Sequence, residues 1–167
     1  MSNASATPRD KQITNYLSAE RITKAVASFF QEMGDATLSE FTLKTGRRVD
    51  LIALSRSQHI TIVEVKSSIT DFSSDKKWQN YLDWADQFYF AVAENFPVER
   101  LADEIRCGIL ITDGFDTHIL HEAPLRKLPT QRRTHLIRRL AFAAMTRLST
   151  KVELIAFLLC SQQMFAM

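Results

Sequence analysis

The sequence predicts an α/β domain built on a mixed β-sheet with helices packed against it. Three observations carry that prediction. Residues 18–34 repeat their apolar side chains at a helical period, three β-type runs follow one another between 36 and 66, and helical spacing returns before a fourth strand, QFYFAVAE. The resulting core order, αβββαβ, is that of a mixed-sheet α/β domain. At 167 residues the chain most simply forms one domain with a substantial hydrophobic core.

The elements follow in order. Ser18 is a helix N-cap, Ile22, Ala25, Val26, Phe29, Phe30 and Met33 form the apolar stripe behind it, and Gly34 ends the helix. ATLSEFTLK reads as a first strand, KTGR as a turn, RVDLIALS as a second strand and SRSQ as the turn into a third, HITIVEVK. From about Ser73 the period turns helical, with Trp78, Tyr81, Leu82 and Ala85 on one stripe. After the fourth strand, NFPVERLADEI is a connection with one short helical turn, and CGILITD and THILHEA form a hairpin around Asp113-Gly114. Arg126 to Leu148 is a basic amphipathic helical region that Pro129 breaks early. The last stretch, KVELIAFLLCSQQMFAM, is expected as an apolar helix or tail packing on the domain, with a homodimer contact as the alternative. The expected layout is a flexible segment over 1–15, the folded domain over 16–150 and the tail over 151–167.

Composition excludes more than it assigns. A net charge of +2 says little about partners. Cys107 and Cys160 stand far apart and read as reduced thiols, which points to a cytoplasmic protein. No apolar run approaches the roughly 18 residues of a membrane span, and the polar start MSNASATPRD is no signal peptide. The four glycines do not cluster, so no phosphate-binding or dinucleotide loop is present. HExxH and paired CxxC motifs are absent, and His118 and His121 of HILH face opposite sides of a strand, so zinc is unsupported.

The chemistry concentrates in the third strand. Ile60 and Ile62 share one face, and Glu64 and Lys66 continue that row, putting a carboxylate and an ammonium where burial is expected. Unpaired charge there is expensive unless a metal, a counter-charge or a ligand matches it. Asp50 interrupts the second strand between Val49 and Leu51, on what should be the neighbouring arm of a hairpin. Two carboxylates on adjacent strands and a nearby lysine suit metal-assisted phosphodiester hydrolysis. The carboxylates hold Mg²⁺ or Mn²⁺, and the lysine orients water or neutralises charge on phosphorus. The competing reading is an ion pair that merely holds the sheet together. The catalytic reading requires Asp50, Glu64 and Lys66 to converge at one opening of the sheet.

These residues, with their neighbours, carry a resemblance. Asp50 on a second strand and Glu64-Val65-Lys66 ending a third, with helices before and after, resemble the PD-(D/E)XK nuclease pattern. GRRVDLIAL, IVEVKSSITDF and DKKWQNYLDWADQFYFAV are similar to the bacterial MmcB family, described as DNA-repair proteins of restriction-endonuclease-like fold; the likeness runs from about Glu20 to Leu148. Val49 stands where the superfamily pattern has proline. The resemblance implies a metal-dependent DNA nuclease with Asp50, Glu64 and the carbonyl of Val65 as ligands and Lys66 as the catalytic lysine. A non-catalytic nucleic-acid-binding module of the same fold is the alternative.

Further candidates have two readings each. Glu20, in the first turn of the first helix, either complements the helix dipole or joins the metal site as in similar nucleases. Glu40 is either a solvent-facing strand residue or part of the acidic site. Ser68, Asp71 and Lys77 either touch phosphate or serve turns and caps. Trp78, Tyr81 and Trp84 are more readily core residues than base-stacking ones. Arg126, Lys127, Arg132, Arg133, Arg138 and Arg139 form the one dense basic patch, either a solvated helix face or a surface for the DNA backbone.

Overall fold

The structure, a computed structural model, describes residues 17–74, 77–101 and 106–164. The segment 1–15, the Asp75-Lys76 pair and the side chain of Cys160 lie outside the described residues. Helix α1 spans Ala19–Glu32, capped by Ser18, whose Oγ accepts from the Arg21 N–H at 3.3 Å. Three strands follow, β1 (Ala36–Thr42), β2 (Arg48–Leu54) and β3 (Ile60–Lys66). A short helix α2 (Ile69–Ser74) and a 3-10 stretch (Trp78–Trp84) lead to β4 (Gln87–Ala93), then β5 (Gly108–Thr112), β6 (Thr117–His121) and α3 (Thr130–Met164).

The strands lie side by side in chain order in one six-stranded sheet. β2 runs antiparallel to both of its neighbours, β1 and β3; β3, β4 and β5 run parallel, and β6 returns antiparallel on β5. This is an open mixed sheet with flanking helices, consistent with a restriction-endonuclease-like α/β fold. α1 covers one face, laying Ile22, Val26 and Phe30 on Leu51, Val63, Val65 and Ala91. The other face carries Ile52, Ile60, Ile62, Phe88 and Phe90 under Trp78, Tyr81 and the α3 residues Leu136 and Leu140. β3, inside the sheet and covered on both faces, is buried along its whole length.

Trp78 and Tyr81 belong to the core, stacked on Phe88 with centroids 5.5 and 6.1 Å away. The single helix expected from Ser73 is instead a short helix and a 3-10 stretch. The α3 region differs more. Arg126 and Lys127 lie in an irregular segment before the helix, Pro129 disfavours helical backbone at Leu128, and the helix starts only at Thr130. Once started it runs unbroken to Met164, since no glycine or proline stands in its way. The expected tail is therefore the continuation of α3, and its residues 151–155 are exposed. No described helix is long and apolar enough to cross a membrane.

Gly108 marks a point of close approach at the start of β5. A Cβ there would lie 2.3 Å from Tyr89 Cε1 and 2.7 Å from the Ala123 nitrogen. The Tyr89 ring cannot swing aside freely, because its hydroxyl donates to Glu122 at 2.7 Å. Gly108→Ala is expected to cost about 1–3 kcal/mol through overpacking, seen as a lower melting temperature by circular dichroism.

Candidate active site at the β2–β3 split

Asp50 stands where β2 parts from β3. The last residue pair between these strands is Leu51 with Val63, so the next N–H on that edge of β3, from Val65, has lost its strand partner. The Asp50 carboxylate replaces it: Oδ2 accepts from the Val65 N–H at 2.8 Å. A second irregularity lies next door in β1. Glu40 takes a left-handed φ of +51° and drops out of the ladder opposite Asp50, between the pairs Ser39–Leu51 and Phe41–Val49, with no shift of register. β2 changes faces across the same point, with Leu51 packed toward α1 and Val49 on the opposite side. Asp50 occupies the break and reaches sideways to β3.

Burial pushes the Asp50 carboxyl above the ordinary aspartate range, against the lowering effects of the Val65 N–H and the Lys66 charge; Asp71 raises it further. A carboxyl whose pKa is higher folded than unfolded favours folding in acid and loses that advantage as pH rises through the folded value. Asp50→Asn is therefore expected to melt above the parent at pH 7.5, with the difference vanishing toward pH 3.5. Thermal melts across that range check it, and a variant less stable at neutral pH would contradict it.

Glu64 and Lys66 lie where the row from Ile60 predicts, on the face that carries Phe90. Both are buried, 6% and 4% exposed, and the Lys66 ammonium sits 5.9 Å from the Phe90 ring centre. The structure thus joins Asp50 to the Val65 backbone, with the Lys66 charge acting on the carboxyl. A cleft of about 500 Å³ opens on Asp50 and Val65, with Glu20, Lys24, Glu40, Arg48 and Arg147 around it; Glu64 and Lys66 do not line it, so the expected convergence of all three side chains at one opening is not met at this cleft.

The donor chemistry at Asp50 suits a hard divalent cation. One carboxylate oxygen is fixed by Val65, the other has no hydrogen bond among the described residues, and burial leaves the negative charge under-compensated. No three His, Cys, Asp or Glu side chains stand at metal-holding distance among the described residues. A cation here would keep several water ligands, as Mg²⁺ commonly does.

The remaining candidates separate. Glu20 lines the cleft but is spent on an exposed pair with Lys24 at 2.7 Å, which lowers its pKa. Glu40 also lines it and pairs with Arg48 at 3.6 Å. Ser68 Oγ accepts from the Asp71 N–H at 3.1 Å, a turn contact at the entry to α2. Lys77 is exposed just before the 3-10 stretch.

The basic residues do not form one patch. Arg126 donates to the Arg106 carbonyl, and Lys127 is exposed in the segment before α3. Arg132 lies over Trp84, 5.2 Å from its ring centre. Arg133 turns inward and grips Asp86 with two bonds of 2.6 and 2.7 Å. Arg138 and Arg139 line a second cleft of about 650 Å³ with His135, Phe142, Arg147 and Glu40. The two clefts share Glu40 and Arg147.

Two residues escaped the sequence reading. Arg147 donates to the carbonyls of Ser39 (2.5 Å) and Glu40 (2.8 Å), clamping β1 where Glu40 leaves the ladder opposite Asp50. Its spacing from Arg139 on one helix was the available signal. Asp86, 3% exposed, also accepts from the N–H groups of Ile60 (2.8 Å) and Leu128 (3.1 Å). Burial raises its pKa, but Arg133 and those N–H bonds bring it below the ordinary value.

The profile of the family described as DNA repair protein MmcB-like matches residues 7–154. The chain belongs to the MmcB-like family. This MmcB-like chain is also similar to a solved protein of unknown function from Silicibacter pomeroyi, at 37% identity and a TM-score of 0.74, over 80% of this chain and 90% of that one. Comparison with curated proteins gives no match. The Asp50–Val65 contact and the Glu64–Lys66 row lie within the stretch that matches the MmcB-like family.

Proposed function

We propose that this protein is a metal-dependent DNA nuclease acting in repair, of the PD-(D/E)XK type, with its site at the β2–β3 split. The observation that carries the reading is Asp50. Its carboxylate is held by the Val65 N–H, feels the Lys66 charge, and opens into a cleft that shares Glu40 and Arg147 with an arginine-lined one. Asp50, Glu64 and the Val65 carbonyl would hold Mg²⁺ or Mn²⁺, which when bound polarises a phosphoryl oxygen and lowers the pKa of a water. Asp50 is fixed for that task before substrate arrives. Lys66 supplies a desolvated positive charge for the developing phosphorane. Arg138 and Arg139 supply sequence-independent backbone contacts, while Arg126, Lys127 and Arg132 lie outside that cleft. Arg133 is committed to Asp86 and contributes least.

The depth of Glu64 and Lys66 favours one second reading, a nucleic-acid-binding module of the same fold without turnover. Cleavage assays on single-stranded, duplex and branched DNA with Mg²⁺, Mn²⁺ or EDTA separate the two. The nuclease reading expects cutting that EDTA stops and Asp50→Asn abolishes. Cation and DNA binding without cutting on any substrate favours the module, and binding of neither removes both.

A further inference from the structure

We propose that the arginine cleft takes an unpaired stretch of DNA, with Phe142 stacking on an exposed base. The inference rests on the nucleic-acid reading above and narrows its substrate class. Phe142 lines the cleft beside His135, Arg138, Arg139 and Arg147, yet it is 75% exposed. Among the described residues no other ring stacks on it. It follows Arg138 by four residues on α3, one turn along the same face, about 6 Å of rise.

The cationic wall is partly fixed in advance. Arg139 donates to the Thr42 carbonyl at 2.8 Å, and Arg147 holds the Ser39 and Glu40 carbonyls, while Arg138 is exposed and able to reach out. Glu40, the one carboxylate of the cleft, is already paired with Arg48. Arginines alone would serve any nucleic-acid backbone. An exposed aromatic among them serves only a base whose face is open, and duplex DNA keeps its base faces stacked. Because the cleft meets the Asp50 cleft at Glu40 and Arg147, a strand held on Phe142 leads toward the carboxylate. Junctions between duplex and single strand, or flapped ends, fit that path.

Fluorescence anisotropy in EDTA tests the assignment, using a labelled single strand of roughly 12 nucleotides and a blunt duplex of the same sequence. The single strand is expected to bind more tightly than the duplex. Phe142→Ala is expected to weaken single-strand binding about tenfold, the scale of one base–aromatic contact, and to leave duplex binding unchanged. Phe142→Trp is expected to restore affinity, whereas Phe142→Leu, which keeps apolar bulk without a stacking face, is not. Equal binding of the two DNAs, an unaffected Phe142→Ala, or a Leu variant as good as Trp overturns the proposal. So does a loss that accompanies a dimer-to-monomer change in sedimentation, since Phe142 begins an exposed apolar stripe with Met145, Leu148, Val152 and Ile155. Metal is absent throughout, so binding and cutting fail separately. A protein that grips the single strand and never cuts keeps this assignment and loses the nuclease reading; one that cuts duplex and ignores single strands does the reverse.

Discussion

Asp86→Ala is expected to remove about 3–5 kcal/mol of stability, the usual cost of breaking a buried ion pair from one side. The carboxylate holds both arms of Arg133 and the N–H groups of Ile60 and Leu128. Its side chain is 4% exposed and that of Arg133 19%, so the substitution leaves a largely buried guanidinium without its counter-charge, held only by the carbonyls of Gln58 and Leu128, and two backbone N–H groups without an acceptor. For a chain of this size the loss corresponds to roughly 6–20 °C in melting temperature. The pH dependence adds a second check, opposite in sign to that of Asp50. A carboxyl held below its unfolded pKa contributes stability above the ordinary aspartate value and loses it as pH falls through the folded value. The gap between parent and variant should therefore close in acid. A variant melting within about 2 °C of the parent at pH 7, less than the shift expected for 1 kcal/mol, would show that the knot does not hold α3 to the sheet.

Lys66→Ala is expected to lose about 100-fold or more in cleavage rate, the scale for one preorganised charge-stabilising group, while still binding the cation. Asp50→Asn and Glu64→Gln keep shape and remove ligand charge, so each is expected to abolish metal binding and turnover together. A purely structural role predicts another pattern. Lys66 and Glu64 are buried on the Phe90 face, and if they only tied the sheet together, removing either would cost about 3–5 kcal/mol with no activity to lose. Calorimetric titration with Mn²⁺, melts and cleavage assays on the same variants decide between them. Large destabilisation beside a parent that cuts no DNA form would end the nuclease proposal.

Much of the fold was legible because its signals are local. The period-two run from Ile60 to Lys66 put Glu64 and Lys66 on the Ile60 face, and there they lie. Ser18 capped α1 as a short-range hydrogen bond should. What was not legible depends on distant chain. The break at Asp50 lies opposite a left-handed Glu40 whose carbonyl is held by an arginine more than one hundred positions away, and no short window of sequence contains both. Arg133 looked like a surface cation because its partner lies 47 residues upstream. The basic cluster was contiguous in sequence, but an irregular segment and a helix give its members different neighbours.

The order of strands in the sheet has a consequence for synthesis. Each strand pairs with the one made just before it, so loops to be closed are short and their entropic cost small. The sheet can therefore lengthen strand by strand as the chain leaves the ribosome, from β1 toward β6, with α1 already waiting over one face. The opposite face is covered early only in part, by Trp78 and Tyr81. The rest of its cover is α3, which follows all six strands in the chain and whose ties to Thr42 and Ser39 reach back 97 and 108 residues. Until those arginines emerge, a nearly finished sheet displays part of an aromatic face to its surroundings, the kind of exposed apolar surface that makes an incomplete fold prone to aggregate.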